Sequence, residues 1–180
     1  MHKATRIFFF TALGYGVALP ASIAQQQTGT HLDSRISHPT VVHFNAPTRI
    51  DEILQLIEAG RNEDAVAVAY EHVENLQSVR LLAETSVPDT LYYALNALCI
   101  ALMTTGQIEE ALDTCSHAIR EVPQQWAAWN SRGTTYFATA SFEEALGDFL
   151  RALALAPNDE NIVDTLQWNI RLTNERLAGN

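Results

Sequence analysis

The chain has 180 residues, with 11 Lys and Arg against 21 Asp and Glu, and a formal charge of −10. That length suits one domain of ordinary size. Lys3 is the only lysine, so the rest of the chain lacks the dense cationic contacts that nucleic acid and anionic lipid surfaces require. The acidic balance suits solubility, a basic partner or metal counter-ions.

The N-terminus begins with the basic residues His2, Lys3 and Arg6, followed by an apolar run from Ile7 to Ala18. Ser22-Ile23-Ala24 then gives small residues ahead of Gln25-Gln26-Gln27. This order predicts a secretory signal peptide over 1–24, cut after Ala24. A spanning helix wants about 20 apolar residues, and this run is shorter, with Gly14 and Gly16 inside it and Pro20 behind. The expected address is periplasmic or secreted, with no integral membrane segment left after cleavage. Residues 25–48 read as a polar, flexible tether punctuated by Pro39 and Pro47. Within it, Val41-Val42-His43-Phe44 is either a short extended segment or a piece that docks onto the helices.

Helical periodicity begins near Thr48, where Ile50, Ile53, Leu54 and Ile57 recur at helical spacing. Gly60-Arg61-Asn62 breaks it, and Glu63-Asp64-Ala65 opens a second helix carrying Val66, Ala69, Val73 and Leu76. The string Gly60-x-x-Glu63-Asp64-Ala65 echoes Gly106-x-x-Glu109-Glu110-Ala111, which makes 46–84 a degenerate first repeat. Its extra residues either lengthen the helix through Leu81 and Leu82 or form a loop at Glu84–Pro88. Pro88 and Asp89 suit the first turn of a third helix, expected to run to about Thr105. Ile108–Glu121 is its partner, and Pro123 blocks continuation. Gln125–Ala138 and Phe142–Leu155 form the next pair. Pro157-Asn158-Asp159 introduces a last helix, a cap over 160–178 with Val163, Leu166 and Ile170 on one face.

Shifting Tyr92–Gln125 by 34 residues lays it on Trp126–Asp159 with nine identities, among them Asn96/Asn130, Ala111/Ala145, Ala118/Ala152 and Pro123/Pro157. A fixed period of this size marks a helix–turn–helix array, whose units stack because none can bury its own apolar face. The second copy, 126–159, carries Trp129, Gly133 and Tyr136 on its first helix and Ala145, Phe149, Ala152 and Pro157 on its second. Those spacings resemble the W-x2-L-G-x2-Y, A-x3-F-x2-A and terminal Pro of the tetratricopeptide repeat family. Arg132 stands where that family usually has Leu. The first copy, 92–125, keeps Ala111, Ala118 and Pro123 and substitutes Leu95, Leu98, Cys99, Leu102 and Cys115 elsewhere.

The resemblance implies an all-α, right-handed solenoid of about three helix–turn–helix repeats plus a C-terminal capping helix, over 49–180. It also implies that Trp129 is buried between helices, so that its removal would cost about 3–5 kcal/mol. The concave groove of the family falls here on Tyr93, Asn96, Ile100 and Met103, then Ala127, Asn130, Thr134 and Phe137. An Asn amide donates and accepts, so Asn96 and Asn130 suit the backbone of an extended peptide. The Lys and Arg of the family's carboxylate clamp are missing from these positions. The implied function is an exported protein–protein interaction module that binds a peptide segment or partner helix. The alternative is a structural subunit of a cell-envelope assembly, in contact with partners through its convex face or the tether.

Other candidate chemistry is thin. Glu109-Glu110 and Glu143-Glu144 recur at the first turn of each second helix, where negative charge meets the positive end of the helix dipole. Cys99 and Cys115 fall on facing helices of one repeat, as two small buried hydrophobes or as a disulfide in an exported chain. His31, His38 and His43 sit in the tether, which fixes no ligand geometry for a metal. No G-x-S-x-G, H-E-x-x-H or P-loop occurs, so no enzyme, cofactor or metal is expected. Exported protein is predicted to start at Gln25. Its intact mass tests this, and recovery of a form still carrying Met1 or Lys3 would refute it.

Overall fold

A computed structural model describes residues 49–83 and 88–179. The signal-peptide and tether readings, and the loop alternative at 84–88 for its first four residues, lie outside the described residues. Among the described residues seven α-helices follow one another: α1 (Arg49–Glu58), α2 (Asn62–Ala83), α3 (Pro88–Thr104), α4 (Ile108–Glu121), α5 (Trp126–Ala138), α6 (Phe142–Leu155) and α7 (Glu160–Ala178). Each helix packs on the next, and α3 also meets α1 and α5. The result is a helical solenoid of three pairs, α1/α2, α3/α4 and α5/α6, closed by α7.

The turn inside each pair is built the same way. Gly60 (φ 72°), Gly106 (φ 77°) and Ala140 (φ 60°) take the left-handed conformation just past the first helix. The next residue then donates its N–H five positions back: Arg61 to Leu56 at 2.9 Å, Gln107 to Leu102 at 3.0 Å and Ser141 to Tyr136 at 3.0 Å. This is the Schellman arrangement, which satisfies carbonyls that the helix end leaves without partners. Two pairs use glycine, which has no Cβ to clash, and the third bears the cost of an alanine there.

Paired helices approach closely because small residues stand between them. Ala65, Ala69, Ala111, Ala118, Ala145 and Ala152 are all fully buried. At Gly133 the contact is tightest: a Cβ there would lie 2.8 Å from Phe149 Cε1 and 3.2 Å from Asp148 Cβ. The insertion in the first repeat lengthens α2 to 22 residues, against 14 in α4 and α6. Its far end leaves Val79, Leu81 and Leu82 exposed.

Two further ties run between helices. Cys99 on α3 and Cys115 on α4 form a disulfide with Cα atoms 5.3 Å apart, so the disulfide alternative is the one adopted. Arg132, the departure from the repeat pattern, forms a two-pronged ion pair across to α6, Nε to Asp148 Oδ2 at 2.7 Å and Nη2 to Oδ1 at 2.8 Å. Its Nη1 reaches back to Ser116 Oγ on α4 at 3.0 Å. The bond to Asp148, ahead of burial in the opposite sense, holds the guanidinium pKa above its usual value.

Trp129 departs from expectation. It is half-buried, its Nε1 donates to the Pro123 carbonyl at 3.1 Å, and the Arg132 and Arg151 guanidinium groups lie 5.0 and 5.8 Å from its ring. Trp126, three residues earlier, is the buried indole. The Trp129 ring thus packs against two of the apolar clusters on one side and meets the two guanidinium groups on the other.

Two reciprocal substitutions follow. Gly133→Ala should destabilise by about 1–2 kcal/mol in denaturant unfolding, because the overpacking cost against a buried ring exceeds the gain in helix propensity. Ala140→Gly should stabilise by about 0.5–1 kcal/mol by relieving the left-handed strain at an exposed turn. Neutral or opposite effects would mean that close approach and turn strain do not shape this array.

Candidate binding face

The spacing i, i+3, i+7, i+10 places Tyr93, Asn96, Ile100 and Met103 on one face of α3, and Ala127, Asn130, Thr134 and Phe137 on one face of α5. Tyr93 is half-buried and the other seven are buried, so the face is covered rather than open. Met103 belongs to the α3–α5 contact, where its sulfur accepts from Thr135 Oγ1 at 3.4 Å. Thr134 returns its hydroxyl to the Asn130 carbonyl at 2.9 Å. Phe137 packs edge-on to Phe142 at 5.2 Å and joins Phe149 and Leu172 in a cluster.

The two asparagines repeat in position but not in partners. Asn130 Oδ1 accepts from Asn169 Nδ2 on α7 at 3.2 Å. Asn130 Nδ2 and Asn96 Oδ1 have no hydrogen-bond partner, although the two residues are 0% and 2% exposed. An orphaned buried amide atom costs about 1–3 kcal/mol, so these two atoms mark where a polar ligand would be rewarded. One lacks an acceptor and the other lacks a donor, the pair of functions that a peptide backbone offers.

Asn169 was not visible as a member of this face from the repeat alone. The period carries Asn130 to Asp164, not to Asn169. Only its phase signals it, since it lies three residues after the buried Leu166 on the inner side of α7.

Beside the face stands Tyr92, fully buried, with its ring 5.1 Å from Tyr93 in an edge-on arrangement. Its hydroxyl accepts the Ala128 N–H at 2.9 Å. Ala128 is in the first turn of α5, where N–H groups lack intrahelical partners, and Gln125 supplies no side-chain cap. A side chain of one repeat therefore caps the first helix of the next. Burial drives the Tyr92 phenol far above its normal pKa, against the opposing pull of the Ala128 hydrogen bond. Tyr70, hydrogen-bonded to Glu110 across α2 and α4, is pushed up to about 12, first by burial and then by that bond.

The acidic pairs sit where the dipole argument places them, in the first turns of α4 and α6. Glu110, Asp113, Thr114, His117 and Arg120 line a shallow depression of about 510 Å³, all from one solvated helix. Among the described residues, no cluster of three or more His, Cys, Asp or Glu is placed to hold a metal. The three tether histidines fall outside the described residues.

The geometry defines a tetratricopeptide-like helical solenoid. No protein-family model matches the chain. It is 28% identical over 119 residues to a DnaJ homolog subfamily C member 3 from Gallus gallus, across 66% of this chain and 22% of that protein. It superposes on the crystal structure of the P58(IPK) TPR domain with a TM-score of 0.54 and 21% identity, across 73% of this chain and 33% of that one. The chain thus spans about a fifth of that relative's length and a third of that structure's, and the structural likeness shows the fold.

The tyrosines give the fold an alkaline limit. Their folded pKa values lie above the unfolded value of 10.0, so their contribution to stability is complete below about pH 10 and is lost as pH rises above it, for Tyr70 through about 12. Melting temperature should fall between about pH 10 and about pH 12, and less steeply in Tyr92→Phe than in the parent. Equal slopes would remove Tyr92 as the cause.

Proposed function

We propose that this protein is an exported protein-interaction module whose α3–α5 face, extended by α7, binds a peptide segment or a partner helix. The observation that carries this reading is the pair of orphaned amide atoms, Asn96 Oδ1 and Asn130 Nδ2, set at the same position of successive repeats. A bound backbone satisfies both with an N–H and a C=O, without reading side chains. Tyr93 and Ile100 supply apolar contact beside them. Tetratricopeptide-like neighbours support a scaffold rather than a catalyst.

Export is supported by the leader-like sequence of residues 1–24 and by the buried Cys99–Cys115 disulfide, since such bonds persist in oxidising compartments. A periplasmic or secreted location is the corresponding proposal. One observation favours the envelope-subunit alternative: the exposed Val79, Leu81 and Leu82 at the end of α2 form an apolar patch on a second helix, away from the asparagine face.

The test is Asn96→Ala combined with Asn130→Ala, titrated against the partner recovered with the mature chain from envelope extract. Each lost amide bond is worth about 0.5–1.5 kcal/mol, so affinity should fall about tenfold or more. Helicity by circular dichroism should hold, while Asn130→Ala alone costs about 1 kcal/mol of stability because Asn169 loses its acceptor. Undiminished affinity in the double variant would reject the face and move the α2 patch ahead.

A further inference from the structure

The first helices of the pairs stand in one row with α7, and each turns the same positions toward the next member. On α5, Ala127 shares a cluster with Leu166 of α7. Asn130 accepts from Asn169 of α7, and Phe137 shares a cluster with Leu172 of α7. On α3, Met103 accepts from Thr135 of α5. The 34-residue period carries Ala127, Asn130, Thr134 and Phe137 to Asn161, Asp164, Trp168 and Arg171 of α7. The four positions on α5 are buried, and the four on α7 are exposed. Among the described residues α7 is the last helix of the row. The side with which α3 and α5 meet the next helix therefore lies open on it.

That side is more than a polar cap. Trp168 is 46% exposed, with the Arg171 guanidinium 5.6 Å from its ring. Asp164, Trp168 and Arg171 recur at i, i+4 and i+7, which is one stripe of a helix. Among the described residues neither Asp164 nor Arg171 takes part in an ion pair. The two charges lie about 10 Å apart along the helix axis, on either side of the indole. A second copy of the stripe, laid antiparallel, inverts their order. Each Arg171 then meets the Asp164 of the other copy. A surface complementary to itself in this way is what a two-fold interface requires.

We infer that two copies of this chain pair through α7, antiparallel across a two-fold axis near Trp168, with two Asp164–Arg171 ion pairs flanking the indoles. The inference is independent of the peptide face proposed above. Each copy supplies the helix that a continued array would place next to α7, at the usual interaxial distance of about 8–10 Å. Trp and Arg are the residue types that most often dominate the energy of an interface. Glu160 and Glu175 would oppose each other only at the ends of the contact. A crossing angle near the common value of about 50° splays those ends apart. A stripe about 28 Å long and about 10 Å wide offers less than the roughly 800 Å2 per partner of a standard interface. The dimer is therefore reversible and depends on concentration.

Charge reversal tests the pairing. Sedimentation equilibrium of the exported protein over a concentration series should show monomer and dimer in exchange. Asp164→Arg alone and Arg171→Asp alone should each weaken the dimer about tenfold or more, because each sets like charges together at both ends of the indole pair. Mixed in equal amounts, these two variants should form a heterodimer about as strong as the parental dimer. The double variant Asp164→Arg with Arg171→Asp should recover the homodimer. Circular dichroism should read the same helicity throughout, since both positions are exposed.

Rescue by the reversed partner is what a merely structural role would not produce. Single variants that dimerise like the parent would overturn the inference, and so would mixed variants that stay monomeric. A parent that is monomeric at every concentration would overturn it as well. The exposed Leu81 and Leu82 of α2 give the control. Leu81→Asp with Leu82→Asp should leave the dimer unchanged. Loss of the dimer there, with the α7 variants unaffected, would assign the contact to the α2 patch and overturn the pairing through α7.

Discussion

The array depends on how closely its paired helices approach. Where Gly133 faces Phe149, there is no room for a methyl group, and a line of fully buried alanines keeps the same spacing in the other pairs. This close approach lets one large ring, Phe149, fill the space opposite Gly133, while Tyr92, Leu95, Leu98 and Leu102 of α3 join a cluster that includes residues of α1, α2, α4 and α5, which makes α3 the most enclosed helix. Stacking is thus a consequence of the small residues inside each pair, and the large residues are what stacking then buries.

On this framework sit three ties that the repeat pattern does not require. The Cys99–Cys115 disulfide clamps α3 to α4. The Tyr92 hydroxyl gives the first turn of α5 the hydrogen bond that its own preceding residue does not provide. Arg132 joins α4, α5 and α6 by bonding Ser116 and Asp148 while lying over Trp129. Each tie crosses a helix boundary, so the middle and last pairs are joined by directional bonds as well as by apolar contact. The first pair is tied to the next by the Tyr70–Glu110 hydrogen bond, by Asn62 Nδ2 donating to the Thr104 carbonyl at 3.5 Å and by the partly exposed Arg80–Glu121 ion pair at 2.9 Å, the last of modest energetic weight in water.

The asparagine face departs from economical packing. Buried amides normally find partners, and here half of each side chain does not. Asn96 and Asn130 thus leave two polar atoms unpartnered at the face proposed for binding, and Asn169 of α7 donates to the second of these residues.

The sequence alone determined the helices and their order. Periodicity, Gly60, Gly106, Pro123 and the 34-residue shift are local or regularly repeated signals, and a helix end is written in a few adjacent residues. α4 and α6 coincide with the segments read from pattern, and α5 differs by one residue. The sequence also marked Asn96 and Asn130 as a repeated pair. Only the tertiary structure decided which atoms of that pair are satisfied, that Asn169 joins them, that Cys99 meets Cys115, and that Trp129 stays near the surface while Trp126 is buried. Those outcomes depend on distances between helices far apart in the chain. Distances of that kind are set by the sum of side-chain volumes packed between the helices, and no single residue or spacing carries that sum.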